Sequence, residues 1–99
     1  MTTPSPEQFT RDMGMTLREF MRTLPAAVFP LPWKRDAGLV IIRHPAGRIR
    51  LSLQESPNRR IGALELPVLR VDFLFSGLDT AERGEFMRHF DLSFHRGGG

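Results

Sequence analysis

Between Arg48 and Glu55 the chain alternates without a break: Ile49, Leu51 and Leu53 fall on one parity, Arg48, Arg50, Ser52 and Gln54 on the other. Side chains of a β-strand point in turn to its two faces, so this pattern demands a strand with one face on a core and one face open. The β-rich run Leu39–Arg43 precedes it, and His44-Pro45-Ala46-Gly47 reads as the turn between the two. Ser56-Pro57-Asn58-Arg59 reads as the next turn. From Arg60 to Ser76 the apolar positions change phase: Leu64 and Leu66 are even, Leu69, Val71, Phe73 and Phe75 odd. A one-residue slip exchanges the faces of a strand. If one core face is kept throughout, an extra residue is needed, and a bulge or sharp bend is expected at Pro67-Val68.

Two helices flank this meander. Thr16 and Glu19 have the spacing of a capping box, and Met13, Leu17, Phe20, Met21 and Leu24 form one apolar stripe behind it. Pro25 is expected to close that helix, because the residue before a proline disfavours helical geometry. Asp79 and Glu82 make a second capping box, with Phe86, Met87, Phe90 and Phe94 as the stripe of a helix reaching about Phe94. Gly84 either weakens this helix or lets something approach closely. Before the first helix, Ser5-Pro6-Glu7-Gln8 reads as a short capped turn in a frayed segment over residues 1–12. Ala26–Pro32 reads as an edge strand carrying two prolines, and Lys34–Gly38 as a charged turn.

These elements predict an α+β two-layer sandwich. An antiparallel meander of three to four strands carries an N-terminal and a C-terminal helix packed on one face. Ninety-nine residues match a single domain over 1–99, with 97–99 as a flexible tail. Hydrophobic residues make up 40% and charged residues 25%, which is a globular composition rather than a disordered one. The longest apolar run, Leu39–Ile42, is far too short for a membrane helix, and the first residues lack a secretory pattern. The expectation is a cytoplasmic protein without membrane contact.

The absence of cysteine excludes disulfides and thiolate chemistry. No nucleophile elbow, phosphate loop, dinucleotide fingerprint or His-Glu-x-x-His motif is present, so neither an enzyme nor a cofactor is called for. Glu82, Glu85 and His89 share one face of the second helix, which makes Glu85 and His89 the metal candidates. Their spacing is equally that of surface ion pairs. His44 reads as a turn residue. The terminal Gly97-Gly98-Gly99 resembles the handle of a carboxylate-activated carrier, but glycine after a helix is also the ordinary stop signal.

The charge is more informative. Thirteen of the fourteen Lys and Arg residues are arginine, although GC-rich coding alone can produce that bias. Residues 25–70 carry eight bases against three acids; residues 71–99 carry three against five. Arg48, Arg50 and Arg70 fall opposite the apolar parity, and Arg59 and Arg60 flank the expected turn. Together they make a basic patch on the outward sheet face. Phe73 and Phe75 fall on the core parity, leaving Val68, Asp72 and Leu74 outward, without the aromatic platform that single-stranded nucleic acid uses. A mixed arginine-and-aliphatic face fits a protein interface. The leading expectation is therefore a non-catalytic module that binds a protein partner, a homodimer included. A nucleic-acid-binding domain using the same arginines is the alternative.

Overall fold

The computed structural model describes residues 6–97, with side chains as far as His95. The elements run β1 (Gln8–Met13), α1 (Leu17–Val28), β2 (Trp33–Asp36), β3 (Leu39–His44), β4 (Gly47–Ile61), β5 (Leu64–Ser76) and α2 (Thr80–Gly97). Among the described residues there is one sheet of five antiparallel strands in the order β1-β5-β4-β3-β2. The shortest dimension, 22 Å, is the depth of one sheet plus one layer of helix. The α+β class and the antiparallel meander hold. The strand count and the position of the first helix do not, because a strand precedes it. No helix among the described residues is long and apolar enough to cross a membrane.

The core lies under the odd-numbered face of β5. Leu69, Val71, Phe73 and Phe75 are buried there beside Ile49 and Leu51 of β4 and Val40 and Ile42 of β3. The helices contribute Phe20, Leu24, Ala27 and Val28 from α1 and Phe86, Met87, Phe90 and Phe94 from α2. Phe73 joins the layers: Phe9 stacks on it at 4.6 Å between ring centroids, and Phe90 meets it edge-on at 5.3 Å. Phe94 in turn stacks on Phe20 of α1 at 4.9 Å. No polar or charged residue is buried among the described residues.

Both capping boxes form. The Glu19 amide donates to Thr16 Oγ1 at 3.1 Å and the Thr16 amide to Glu19 Oε1 at 3.2 Å. The Glu82 amide donates to Asp79 Oδ1 and the Asp79 amide to Glu82 Oε1, each at 2.8 Å. α1, however, does not stop at Pro25 but runs on to Val28. An interior proline costs about 3 kcal/mol. Complete burial of Ala27 and Val28 returns about 2–3 kcal/mol at the usual value per buried methyl group. The segment Ala26–Pro32 is accordingly helix end and loop rather than an edge strand, with a cis Phe29–Pro30 bond. The edge strand is β2, inside the expected charged turn, and the turn itself shrinks to Ala37-Gly38.

The segment read as frayed contains β1, paired with β5 from Gln8↔Leu74 to Met13↔Leu69. Its inward positions are Phe9, Arg11 and Met13. The charged middle residue hid the alternation from the sequence. Arg11 is half-buried, lies 5.7 Å from the Phe9 ring and 5.8 Å from the Phe73 ring, and makes a two-pronged ion pair with Asp91 of α2. Its stem covers the core while its head reaches the helix. Ser5 of the expected cap and Gly98-Gly99 of the expected tail lie outside the described residues, while Gly97 is the last residue of α2.

The turn expected at Ser56–Arg59 is strand. β4 continues to Ile61, and the hairpin turns at Gly62-Ala63, where Gly62 has φ 61°. Positive φ at the first of two turn residues is a favoured hairpin geometry, and it selects glycine. The phase change is also resolved differently from the sequence expectation. The register steps from Ser56↔Val68 to Arg59↔Leu66, which places the extra residue in β4 at Pro57-Asn58, across from Pro67. β5 runs through Pro67-Val68 with its alternation unbroken, so Leu64 and Leu66 point outward, 64% and 40% exposed. No helix covers this end of the hairpin, so no core face has to be preserved there.

Two glycines test this architecture. At Gly84 no atom outside its own helix lies within 4 Å of the place a Cβ would occupy. Gly84→Ala is therefore expected to raise stability by about 1 kcal/mol. At Gly47 a Cβ would collide with the Ser76 carbonyl of the neighbouring strand, and Gly47→Ala is expected to cost about 1–3 kcal/mol. Urea midpoints of the two variants should move in opposite directions.

Candidate functional site

The helices cover one face of the sheet and leave the other open, and the register determines which residues meet there. One row across the strands reads Lys34, Ile41, Arg50, Leu74, Gln8; the next reads Asp36, Leu39, Ser52, Asp72, Thr10. Arg43 opposes Arg48, and Arg70 lies between Gln54 and Asp12. Leu39, Ile41, Val68 and Leu74 are half-buried, and Arg43, Arg48, Arg50 and Arg70 are exposed. The strand aromatics Phe9, Phe73 and Phe75 lie on the opposite face, and Trp33 opposes Ile42 there.

The arginine patch read from the sequence is thus divided by the structure. Arg48 and Arg50 sit together on the open face. Arg70 is on the same face but at the β1 side, its Nε 3.9 Å from Asp12. Arg59 follows the bulge on the far arm of the hairpin, still on the open face because it opposes Leu66. Arg60 opposes Glu65 and points to the other side. Pro57 and Pro67 interrupt the two free edges of this arm, which removes donors that a further strand would need.

The structure adds two cations that sequence reasoning missed, Lys34 and Arg43. With Arg48 and Arg50 they surround Ile41. Directly opposed side chains sit about 4.5–5.5 Å apart at Cβ, and like charges in that position destabilise a sheet. Among the described residues no ion pair within 4.0 Å reaches any of the four. Of the acids on this face, Asp72 accepts from the Thr10 hydroxyl, Asp12 faces Arg70, and Asp36 lies on β2 opposite Leu39 without an ion pair to any of the four cations. The open face is therefore polarised, basic over β3 and β4 and acidic towards β1, with Lys34 and Asp36 balancing on β2. The signal for Arg43 was available, since reading Pro45-Ala46 as a two-residue loop pairs Arg43 with Arg48. The unbroken apolar run before it hid which way it points.

Of the metal candidates on α2, Glu85 is engaged elsewhere. The Arg88 guanidinium hydrogen-bonds Glu85 at 2.7 Å. That bond and its charge hold the Glu85 carboxyl below its ordinary range, and the same pair holds Arg88 above its own. Because Glu85 is shifted downward, any stability from the pair is present above the unfolded-state value and lost as pH falls through the folded one. Glu82 closes its capping box. Among the described residues no three of His, Asp and Glu converge as a metal site would require. His44 ends β3 rather than lying in the turn, its Nδ1 accepting from the Ala46 amide at 3.0 Å.

Glu82, Glu85, His44 and His89 do share the rim of a groove of about 670 Å³ between the end of α1 and the start of α2. Its floor is formed by Ala27, Val28, Leu31 and Phe86. Both rim carboxylates already have partners within their own helix. The cations around Ile41 have none among the described residues, and that contrast makes the open face the stronger candidate.

Arg48→Glu converts the like-charge pair with Arg43 into an attractive one. It is expected to raise stability by about 0.2–1 kcal/mol, measured as a higher urea midpoint that shrinks as salt is added. A lower midpoint at low salt would mean that the two side chains do not confront each other. No family model, curated protein or solved structure matches the chain, so the functional reading rests on this face.

Proposed function

We propose that the chain is a non-catalytic binding module that recognises a protein partner, a second copy included, through the open face of its sheet. The observation that carries this reading is the row Lys34, Ile41, Arg50, Leu74, in which cations alternate with aliphatic side chains on a face that no helix covers. Arginine beside aliphatic surface, as Arg50 lies between Ile41 and Leu74, is a composition found at protein interfaces. Nucleic acid would need the same cations, but it is gripped best by aromatics on which bases stack. The strand aromatics lie on the other side of the sheet.

A photo-crosslinking residue placed at Leu74 tests the reading in living cells, with one at Leu92 on α2 as the control. Leu92 is 48% exposed. Nuclease-resistant protein adducts are expected from position 74, reduced by Arg48→Glu/Arg50→Glu. An adduct of twice the chain mass would identify the second copy. Nuclease-sensitive adducts, or protein adducts from position 92 alone, would overturn the proposal.

A further inference from the structure

The four unmatched cations occupy only part of the open face, and their arrangement specifies a ligand. Lys34 and Arg50 flank Ile41 on its two neighbouring strands. Arg43 follows Ile41 on its own strand, and Arg48 opposes Arg43. Leu74 lies beyond Arg50. Strands are about 4.8 Å apart, so the span from Lys34 to Leu74 is roughly 14 Å. Four or five extended residues cover that distance at about 3.4 Å each. Where all five strands lie side by side, the open face is about six residues long and offers roughly 500 Å² in projection, and β4 and β5 carry it further along the arm. The five-stranded part by itself is large enough for a segment.

Charge complementarity then selects among segments. Arg43 and Arg48 are held opposite each other at a cost in stability, with no acid of the described chain within ion-pair distance. A carboxylate placed between two guanidinium groups reverses that repulsion and can be gripped bidentately. Ile41 and Leu74 leave half-buried aliphatic surface between the charges. A ligand matching both features carries carboxylates with an aliphatic side chain among them.

We infer that this end of the sheet binds a short acidic, aliphatic segment of a partner protein. Its carboxylates lie on Arg43, Arg48 and Arg50, and an apolar side chain lies on Ile41 and Leu74. This rests on the open face being a protein-recognition surface, and it adds the chemistry of the partner and two residues, Lys34 and Arg43.

The test uses fluorescence polarisation with three labelled probes: a short peptide of alternating Asp and Leu, its Asn and Leu counterpart, and single-stranded oligothymidylate. The Asp peptide is expected to bind, to weaken as salt is raised, and to lose about tenfold in affinity when Arg43→Gln and Arg48→Gln are combined. The Asn peptide should bind at least about tenfold more weakly than the Asp peptide. Arg59→Gln combined with Arg60→Gln, on the distant arm, should change affinity less than about twofold, as expected for screened charges beyond a Debye length. Thermal melts of both double variants confirm that they fold, and removal of the like-charge pair should leave the first no less stable than the parent.

Equal binding of the two peptides, no binding of the Asp peptide at low salt, or dependence on the arm arginines would each overturn the inference. Oligothymidylate displacing the Asp peptide would overturn it in favour of nucleic acid. If the Asp peptide fails while position 74 still crosslinks to protein, the face remains a protein-binding surface and only the acidic partner is wrong.

Discussion

Burial of one parity of β5 governs the rest of the molecule. Leu69, Val71 and Phe73 are fully buried and Phe75 nearly so, which anchors the strand with four apolar side chains worth about 1.5–3 kcal/mol each. Phe73 carries the largest share, stacked by Phe9 from β1 and met edge-on by Phe90 from α2. With that parity committed inward, Arg70, Asp72 and Leu74 have to point outward. The antiparallel pairing with β4 then places Arg50 beside Leu74, and the pairing with β3 places Ile41 beside Arg50. The candidate interface is thus a consequence of the core, written on the reverse of the same sheet.

The same constraint shows why the distal hairpin behaves differently. Past Val68 there is no helix to bury a face against, so a slip in parity costs little. The chain can place Leu64 and Leu66 outward and accommodate Pro57 in a bulge on the partner strand. Turn-favouring residues at Ser56–Arg59 were overruled because a long cross-strand pairing with β5 was available and a bulge could absorb the proline. Pro25 in α1 was overruled in a parallel way, by burial of Ala27 and Val28 beyond it. In each case a local preference of a few kcal/mol met a tertiary gain of similar size.

Local pattern was enough where an element has one buried stripe and clear end signals. The two capping boxes, the apolar stripe of α2, that of α1 apart from Met13, which lies in β1, and the alternation that puts Arg48 and Arg50 opposite Ile49 and Leu51 were all legible. β1 was not, because its central inward residue is Arg11, whose ion pair with Asp91 lies eighty positions away in sequence. Lys34 was illegible as a member of the site, and Arg43 was legible only through its pairing with Arg48 across Pro45-Ala46, for a related reason. Their neighbours Leu39–Ile42 form an unbroken apolar run, and such a run does not declare which side chains face water.

By itself the sequence determined the α+β class, the antiparallel meander, both helix starts and the outward direction of the Arg48, Arg50 and Arg70 side chains. These follow from periodicity and capping chemistry, which act over a few residues. Only the tertiary structure decided that there are five strands, that Arg60 leaves the patch while Lys34 and Arg43 join it, and that Arg70 is met by Asp12. Those facts depend on cross-strand register and on which end of the sheet the helices cover. Both are settled by packing between residues distant in the chain, and no local pattern records them.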